Sequence, residues 1–292
     1  MRHAMFVHAH PDDESSKAAA TMARYAKEGH RITVVTLTDG TAGDILNPRM
    51  DTPGVKERLA EHRAEELERA LTLLGVTDHA AFGYRDSGWV EDFAGDGSQL
   101  APDAFYNIAL DLPVERLVRL IRASRPDVLV TYPEDGGYPH PDHIRCHDVS
   151  VAAFDAAADP ARLPDAGPAH AVAKLYYCHA FTRPKLAALH EALQARTGGS
   201  PLAEWVERFH GRACPPMTTR VAVGDFLEQR DLALLAHATQ VDPDGMWFAV
   251  PTELVREVYP YEEFTLARTR VEVNLPETCL FDGLKPGECG PG

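Results

Sequence analysis

Two short strings rich in histidine and aspartate, at residues 10–13 and 140–143, have the composition of a metal-binding site. The first reads His-Pro-Asp-Asp and the second reads His-Pro-Asp-His. Imidazole nitrogens and a carboxylate are common ligands of a catalytic zinc ion, which keeps an open position for water. His10, Asp13 and His143 would supply two nitrogens and one carboxylate, a set suited to metal-assisted hydrolysis. The same ligand set also suits Fe²⁺.

Two further side chains of these strings could transfer protons. Asp12 is next to a candidate ligand, so its carboxylate can serve as the general base for an attacking water. His140 could hold or donate a proton on the other side of the reacting carbonyl group. The nearby His8, Cys146 and His147 are interpreted as buried packing neighbours rather than as ligands.

Both strings follow segments that are predicted to be strands. A single His-Pro-Asp string in a chain with 14 histidines and 22 prolines would be an ordinary turn. Two of them, each after a strand, favour a metal site over a pair of strand-end turns, since ligands of open α/β sheets bind beyond the carboxyl ends of the strands. Hydrophobic periodicity predicts strands at 4–9, 32–37, 80–83, 127–132 and 173–179, and helices at 14–29, 55–75, 114–124, 143–158 and 225–238.

The alternation of strands and helices predicts the fold class. Such alternation is typical of a parallel sheet covered by helices on both faces, so we expect a Rossmann-like α/β sandwich. The alternation weakens after residue 180, where proline and glycine cluster around 198–216. We therefore expect a Rossmann-like hydrolase domain at 1–180 and a smaller C-terminal subdomain at 181–292 that completes the substrate pocket.

Composition excludes several classes of partner. The chain has 29 Lys+Arg against 44 Asp+Glu and a formal net charge of −15, which argues against nucleic acid. Its apolar runs are shorter than the roughly 18 residues that cross a bilayer, so no membrane partner is expected. The five cysteines are scattered without a paired spacing, which favours a reducing compartment and a cytoplasmic location. No feature of the sequence indicates an oligomeric state.

The two strings also resemble a known family signature. Ala-His-Pro-Asp-Asp-Glu at 9–14 and His-Pro-Asp-His at 140–143 are similar to the motifs of the zinc-dependent GlcNAc-phosphatidylinositol de-N-acetylase superfamily, also called LmbE-like. This resemblance implies a Rossmann-like fold and hydrolysis of N-acyl amides on glucosamine-type sugars. Further stretches, including DILNPRMD, GGYPHPDH, HATQVDP and EEFTLARTR, are similar to the branch that hydrolyses mycothiol S-conjugates. The similar stretches span residues 8–270.

The resemblance implies a function for each histidine and aspartate of the strings and for Tyr138. Zinc would be bound by His10, Asp13 and His143, with Asp12 as general base. His140 would stabilise the oxyanion and help to protonate the leaving amine. Asp142 would orient His140, and Tyr138 would close over the site and assist transition-state stabilisation.

Three more residues are implied to bind the substrate. Arg63, on the predicted long helix, and Asp86 would contact sugar hydroxyls, and Lys17 would recognise the thiol conjugate. The sequence alone leaves ordinary alternatives open. Arg63 and Lys17 could be exposed helix charges, and Asp86 could simply begin a turn.

The resulting expectation is a zinc amidase whose partner is a small thiol-sugar conjugate. It would cleave the amide between glucosamine and the acyl-cysteine of a mycothiol S-conjugate, either to detoxify electrophiles or to trim a thiol-conjugated intermediate of natural-product biosynthesis. The enzyme alternative is a de-N-acetylase of GlcNAc-inositol in mycothiol biosynthesis. The non-enzyme alternative is a catalytically dead sugar-conjugate binding protein. The functions of the loops at 39–54 and 84–113 stay open, because Thr41, Ala42 and the segment 89–111 depart from the family pattern, and with them the accepted conjugate stays open.

Overall fold

The computed structural model describes residues 1–209 and 215–284, and one mixed sheet lies at its centre. Within these residues the sheet has seven strands in the order β3-β2-β1-β4-β5-β7-β6. The first five strands of this order run parallel, and β7 is antiparallel to both β5 and β6. The strands are β1 His3–His8, β2 Arg31–Thr38, β3 Asp78–Tyr84, β4 Val128–Thr131, β5 Lys174–Cys178, β6 Thr219–Ala222 and β7 Tyr261–Thr269.

The central strands are buried along their whole length. Every residue of β1 and β4 is buried, as is all of β2 after its first residue. Continuous burial of this kind requires apolar or β-branched side chains on both faces of the sheet, and it requires helices to cover both faces. The predicted fold class, a mostly parallel Rossmann-like sheet flanked by helices, is therefore confirmed.

Helices form two packed groups around this sheet. The helices are α1 Asp13–Ser16, α2 Ala19–Lys27, α3 Leu59–Leu74, α4 Asp111–Ser124, α5 Pro141–Ala158, α6 Arg183–Thr197, α7 Ala203–Phe209, α8 Leu227–Ala236 and α9 Thr252–Val258. α2, α3 and α8 contact one another, and α4 contacts α5. The chain moves along the sheet in one direction from β1 to β3 and in the other direction from β4 to β5. Because crossovers between parallel strands are right-handed, the helices of the two halves lie on opposite faces of the sheet. None of the helices in the described ranges is long and apolar enough to cross a membrane.

The helix predicted at 14–29 is wrong as one continuous element. It is divided into α1 and α2 at Lys17, which is extended (φ −135°, ψ 116°), and Ala18, which has a φ of 66°. The start of α2 is stabilised by a distant residue, since the Glu262 carboxylate accepts hydrogen bonds from the amides of Ala20 and Thr21 at 3.1 and 2.8 Å. A tertiary cap of this kind leaves no local signal in the sequence.

The segment after residue 180 holds more regular structure than its pattern predicted. The helix expected at 225–238 is present as α8, but α6, α7, α9, β6 and β7 were not predicted. β6 and β7, which follow residue 180, belong to the same sheet as the five strands that precede it. The division into units 1–180 and 181–292 stays a prediction.

Candidate metal centre

The two motif strings meet beyond the carboxyl ends of adjacent strands. β1 pairs in parallel with β2 on one side and with β4 on the other, so the loops that follow β1 and β4 lead away in opposite directions. Such a switch point leaves a crevice at the carboxyl edge of a parallel sheet, which is where ligands bind. His10 follows β1 by two residues, and His140 begins α5 after the loop from β4. The predicted neighbourhood of the two strings is therefore observed.

Local backbone geometry fixes the second string at the start of α5. The side chain of His140 caps the helix, because its Nδ1 accepts a hydrogen bond from the amide of Asp142 at 3.1 Å. Pro141 occupies the first helical turn, where the proline ring is compatible with helix geometry. His143 lies in the same turn and contacts Gly136, whose φ is +72° and where a Cβ would lie 2.6 Å from the His143 Cβ. Glycine is therefore required at 136.

Three buried side chains converge on one point of the crevice. The Oδ2 atom of Asp13 lies 3.3 Å from His143 Nε2 and 3.5 Å from His10 Nδ1. One ligand atom from each of the three residues lies within 4.8 Å of the others. Tetrahedral ligands at about 2.1 Å from a zinc ion are roughly 3.4 Å apart, so this spacing fits a zinc ion. His10, Asp13 and His143 are 6%, 3% and 0% exposed.

The far nitrogen of each imidazole has its own acceptor. His10 Nε2 lies 3.1 Å from the Asp142 carboxylate, and His143 Nδ1 lies 3.1 Å from the Gly136 carbonyl oxygen. Acceptors at these positions hold a proton on the far nitrogen and leave a lone pair on the nitrogen that faces Asp13, as in carboxylate–histidine–metal arrangements. The donor set therefore fits a bound divalent metal.

A second group of possible ligands shares one residue with the first. It consists of His10, Asp86, His140 and Asp142. The Asp142 carboxylate already accepts hydrogen bonds from the amide and hydroxyl of Ser87, and Asp86 accepts one from the Gly88 amide at 2.8 Å. These contacts make the second group a support for His10, whereas the ligand atoms of the first group converge on one point.

The carboxyl groups of the adjacent residues Asp12 and Asp13 have pKa values that are shifted in opposite directions. Burial raises the pKa of the Asp12 carboxyl, an effect that the Arg63 guanidinium opposes and the Asp13 charge reinforces. Burial also penalises the Asp13 carboxylate, but His143 and Lys17 outweigh it and hold the pKa of Asp13 well below its usual range. The Asp12 side chain is 25% exposed, against 4% for Asp13. Asp12 can therefore exchange a proton, while Asp13 stays charged.

Arg63 lies beneath Asp12 and is not an exposed helix charge. It projects from α3, is 3% exposed, and donates to the carbonyl oxygens of Pro11 and Gly40 at 2.6 and 2.8 Å. The nitrogen that donates to Pro11, Nη2, also donates to Asp12 Oδ2 at 3.0 Å, and Nη1 lies 3.9 Å from Asp86 Oδ2. Arg63 thus fixes the loop that carries Asp12, and its contact with a sugar hydroxyl stays a prediction, as does that of Asp86.

His140 is held as a neutral hydrogen-bond donor. Burial lowers its pKa to about 2, and the neighbouring imidazoles of His10 and His143 lower it as well. Because Nδ1 accepts from the Asp142 amide, the proton of the neutral ring is on Nε2. The family resemblance implied that Asp142 orients His140, and this function stays a prediction, since the contact between the two residues is made by the Asp142 backbone amide. The Asp142 carboxylate instead binds His10 and Ser87.

Tyr138 and Lys17 both contact the candidate ligands, and Lys17 is 8% exposed, so it is not an exposed helix charge. The Tyr138 hydroxyl lies 3.3 Å from His143 Nε2, and 41% of this residue is exposed. Lys17 Nζ lies 2.6 Å from Asp13 Oδ1, so the two oxygens of Asp13 have separate partners. The extended conformation at Lys17 that divides α1 from α2 accompanies this contact.

Glu14 and His237 support the site but were missed as functional residues. The fully buried Glu14 carboxylate accepts a hydrogen bond from the Asp12 amide at 3.0 Å and pairs with His237 Nε2 at 2.7 Å. Asp12 has a φ of 111°, a strained conformation for a residue with a side chain, and the Glu14 contact fixes it. The glutamate of the first motif was the available signal, but its partner is 223 residues away.

His8, Cys146 and His147, which the sequence predicts to be packing neighbours, do not join the candidate ligands. His8 Nδ1 lies 3.1 Å from the Tyr132 hydroxyl, and His147 Nδ1 lies 2.9 Å from the Tyr132 carbonyl oxygen. Cys146 is fully buried, and burial raises the pKa of its thiol. These contacts agree with packing positions.

Comparisons with known proteins agree with this geometry. The chain is 46% identical to the mycothiol S-conjugate amidase of Streptomyces coelicolor, over 96% of this chain and 97% of that protein. It is 40% identical to the 1D-myo-inositol 2-acetamido-2-deoxy-alpha-D-glucopyranoside deacetylase of Streptomyces avermitilis, over 98% of each. The N,N'-diacetylchitobiose deacetylase of Pyrococcus horikoshii has the same fold, with a TM-score of 0.61 and 18% identity over 91% of this chain and 83% of that one.

A family profile covers the part of the chain that holds both motif strings. Residues 5–154 match the profile of PIG-L, described as GlcNAc-PI de-N-acetylase. This range includes most of β1, all of β4 and most of α5, and it contains His10, Asp13 and His143. The chain belongs to the PIG-L, GlcNAc-PI de-N-acetylase family.

Proposed function

We propose that this chain is a zinc-dependent amidase that hydrolyses the amide between glucosamine and the acyl-cysteine of mycothiol S-conjugates. Its membership of the family makes it a hydrolytic enzyme that acts on an amide. Family membership and the buried His/Asp group support metal dependence, and the imidazole–carboxylate donor set supports zinc. The products would be an S-conjugated N-acetylcysteine and a glucosaminyl-inositol.

Lys17 is the observation that carries the choice of substrate. Its ammonium group contacts the candidate ligand Asp13 and also lines a cavity that extends away from the centre. A cation at this boundary is suited to contact the acyl part of the substrate while the amide lies at the metal. The 46% identity to a mycothiol S-conjugate amidase, against 40% for a deacetylase, supports the same choice.

The first chemical step would use Asp12 as the base. A zinc ion held by His10, Asp13 and His143 would supply Lewis-acid activation of water and of the amide carbonyl. Asp12 would accept the proton of the attacking water, since its carboxyl is exposed toward the crevice and its pKa is raised by burial. Arg63 would hold that carboxylate in place through its 3.0 Å contact.

The opposite side of the amide would face His140 and Tyr138. The Nε2–H of the neutral His140 ring would donate to the carbonyl oxygen as negative charge develops there. Because the neutral His140 ring would keep this proton, the protonated Asp12 would return the proton taken from the attacking water to the leaving amine. The Tyr138 hydroxyl, 3.3 Å from His143 Nε2, would assist from the open side of the crevice.

The second candidate is the removal of acetate from GlcNAc-inositol. Relatives at 40–41% identity over at least 91% of this chain carry that deacetylase name, which supports this alternative. Both reactions hydrolyse an N-acyl group on glucosamine, so the metal centre alone suits either one. The acyl side of the site must distinguish them.

A side-by-side assay tests the proposal. Purified protein of known metal content would be given a bimane conjugate of mycothiol and, separately, GlcNAc-inositol. We expect the conjugate to be cleaved faster than GlcNAc-inositol. A chelator should abolish this activity and Zn²⁺ should restore it. Reconstitution with Fe²⁺ in place of Zn²⁺ compares the activities that the two metals support. Preference for GlcNAc-inositol would instead support the deacetylase.

The Lys17→Ala variant tests the basis of the substrate choice. We expect it to reduce conjugate cleavage much more than deacetylation, because only the conjugate extends past Lys17. Lys27→Ala, at the exposed end of α2, is the matched control and should leave both rates unchanged. Equal losses of both activities in Lys17→Ala would contradict the assignment.

A further inference from the structure

An aromatic cavity of about 350 Å³ adjoins the metal centre. The sequence has three tryptophans, and Trp89, Trp205 and Trp247 all line this cavity. Phe181 and Tyr138 add two more aromatic rings to its wall. Aromatic side chains with a polar edge are enriched where proteins bind ligands and partners, so their concentration here indicates a binding surface.

The rings form a continuous wall from separate parts of the chain. Phe181 follows β5 and stacks on Trp247, with a centroid distance of 5.1 Å and an interplanar angle of 24°. Phe181 also contacts Trp205 of α7, at a centroid distance of 5.3 Å. Each of these three rings is only partly buried, so each keeps surface that a ligand can cover.

The cavity is connected to the metal centre through two residues. Lys17 lines the cavity and binds Asp13 Oδ1 at 2.6 Å. Tyr138 also lines it, with its hydroxyl 3.3 Å from His143 Nε2 and its ring 5.9 Å from that of Trp89. An acyl group whose carbonyl lies at the candidate ligands can therefore extend past Lys17 and Tyr138 into the cavity.

We propose that this cavity binds the S-substituent of the conjugate and selects flat, apolar aromatic substituents. The inference rests on the proposed function and names the part of the substrate that determines specificity. An acetyl group would leave the cavity unfilled, whereas about 350 Å³ holds a fused aromatic ring system. The ring surfaces of Phe181, Trp205 and Trp247 that remain uncovered are flat, so they suit a planar group better than a branched aliphatic one.

Kinetics on substrates of graded size test the cavity. Trp205→Ala and Trp247→Ala would be assayed on a bimane conjugate, on an S-methyl conjugate and on GlcNAc-inositol. We expect kcat/KM for the bimane conjugate to fall about tenfold, because an aromatic contact and its buried area are lost. The other two substrates should change by less than about twofold, because neither fills the cavity.

Two kinds of control accompany these variants. Trp205→Phe and Trp247→Phe keep an aromatic face and should retain most of the activity on the bimane conjugate. Tyr261→Ala removes a partly exposed aromatic side chain from β7, outside the cavity lining, and should leave all three substrates unchanged. Equal losses on all three substrates in the alanine variants would overturn the inference, because they would indicate a structural function for the rings.

Tryptophan fluorescence gives a readout that does not require hydrolysis. Since all three tryptophans line the cavity, the S-bimane derivative of N-acetylcysteine should quench most of the emission of the wild-type protein. Its apparent Kd should weaken about tenfold in Trp205→Ala and Trp247→Ala. Unchanged affinity in both variants would overturn the inference. If the wild-type protein cleaves no conjugate, the proposed function fails, and this titration alone decides whether the cavity binds the aromatic group.

Discussion

Asp12 and Asp13 are adjacent in sequence, but their surroundings assign them different chemistry. Asp13 is contacted by two imidazoles and by Lys17, all of which favour its charged form. The Asp12 side chain is 25% exposed and has Arg63 as its charged partner. We expect Asp12→Asn to bind the metal at wild-type stoichiometry while kcat falls about 10²–10⁴-fold, because the base is lost. Metal analysis and steady-state kinetics on one preparation measure both quantities.

Asp13→Asn is the matched control for this prediction, since it makes the same chemical change one residue away. We expect it to lose metal and activity together, and excess Zn²⁺ should restore part of both. Loss of metal from Asp12→Asn, with retention by Asp13→Asn, would reverse the two assignments.

Glu14 acts on the site through the backbone of Asp12. Glu14→Gln removes a buried charge from His237 and should lower the free energy of unfolding of the metal-free protein by about 3–5 kcal/mol at pH 7. Burial disfavours the Glu14 carboxylate, but His237 and Ser15 outweigh it and lower its pKa from 4.5 to about 2. The stabilisation is therefore complete above about pH 4.5 and is lost as the pH falls toward 2. Urea unfolding should show the gap between wild type and variant narrowing over that range, and a constant gap would contradict the assignment.

At the scale of elements, the loop after β2 is packed tightly against the α3 side chain that holds Asp12. A Cβ at Gly43 would lie 2.6 Å from the Arg63 guanidinium. We expect Gly43→Ala to displace Arg63, to lower kcat about tenfold and to destabilise the fold by about 1–3 kcal/mol. Gly199→Ala is the control, because open space surrounds Gly199 and its substitution should be nearly neutral. Full kcat in Gly43→Ala would show that Arg63 does not position the base.

The elements that could be predicted from sequence are those whose determinants are local. The buried β-branched runs of β2 and β4 and the two motif strings at strand ends were predicted at nearly their observed places. α6 was missed although Leu186, Leu189 and Leu193 have helical spacing, Thr182 caps its start and Gly198 follows its end. The break between α1 and α2 could not be predicted, because Glu262 supplies the cap from β7.

The candidate ligands could be predicted from the sequence, but the residues that orient them could not. The three candidate ligands are close together because β1 and β4 are neighbours, which the strand-end positions already indicated. The partners that orient them come from distant elements. Ser87 reaches Asp142 from the segment after β3, and His237 reaches Glu14 from the end of α8. Such pairings depend on topology, which residue types alone do not specify.

At the scale of the whole molecule, the candidate site and a buried ion pair lie at opposite ends of the sheet. Lys174 begins β5, and its ammonium group lies 2.5 Å from Glu277, with both side chains fully buried. Glu277 also accepts hydrogen bonds from Tyr176 and Thr219, so it joins β5, β6 and the segment after β7. This cluster attaches the antiparallel part of the sheet to its parallel part, at the amino end of β5 and away from the metal centre.

Removal of one partner of this ion pair should destabilise the fold without changing the chemistry. We expect Lys174→Met and Glu277→Gln each to lower the free energy of unfolding by about 3–5 kcal/mol, because each leaves an uncompensated buried charge. The double variant should lose much less than the sum, since it buries no net charge. kcat should stay at the wild-type value in every folded variant, because the site lies beyond the carboxyl ends of the strands. Denaturant unfolding and kinetics on the same samples test both statements. Additive stability losses would contradict the ion-pair assignment, and a reduced kcat in a folded variant would show that the two ends of the sheet are coupled.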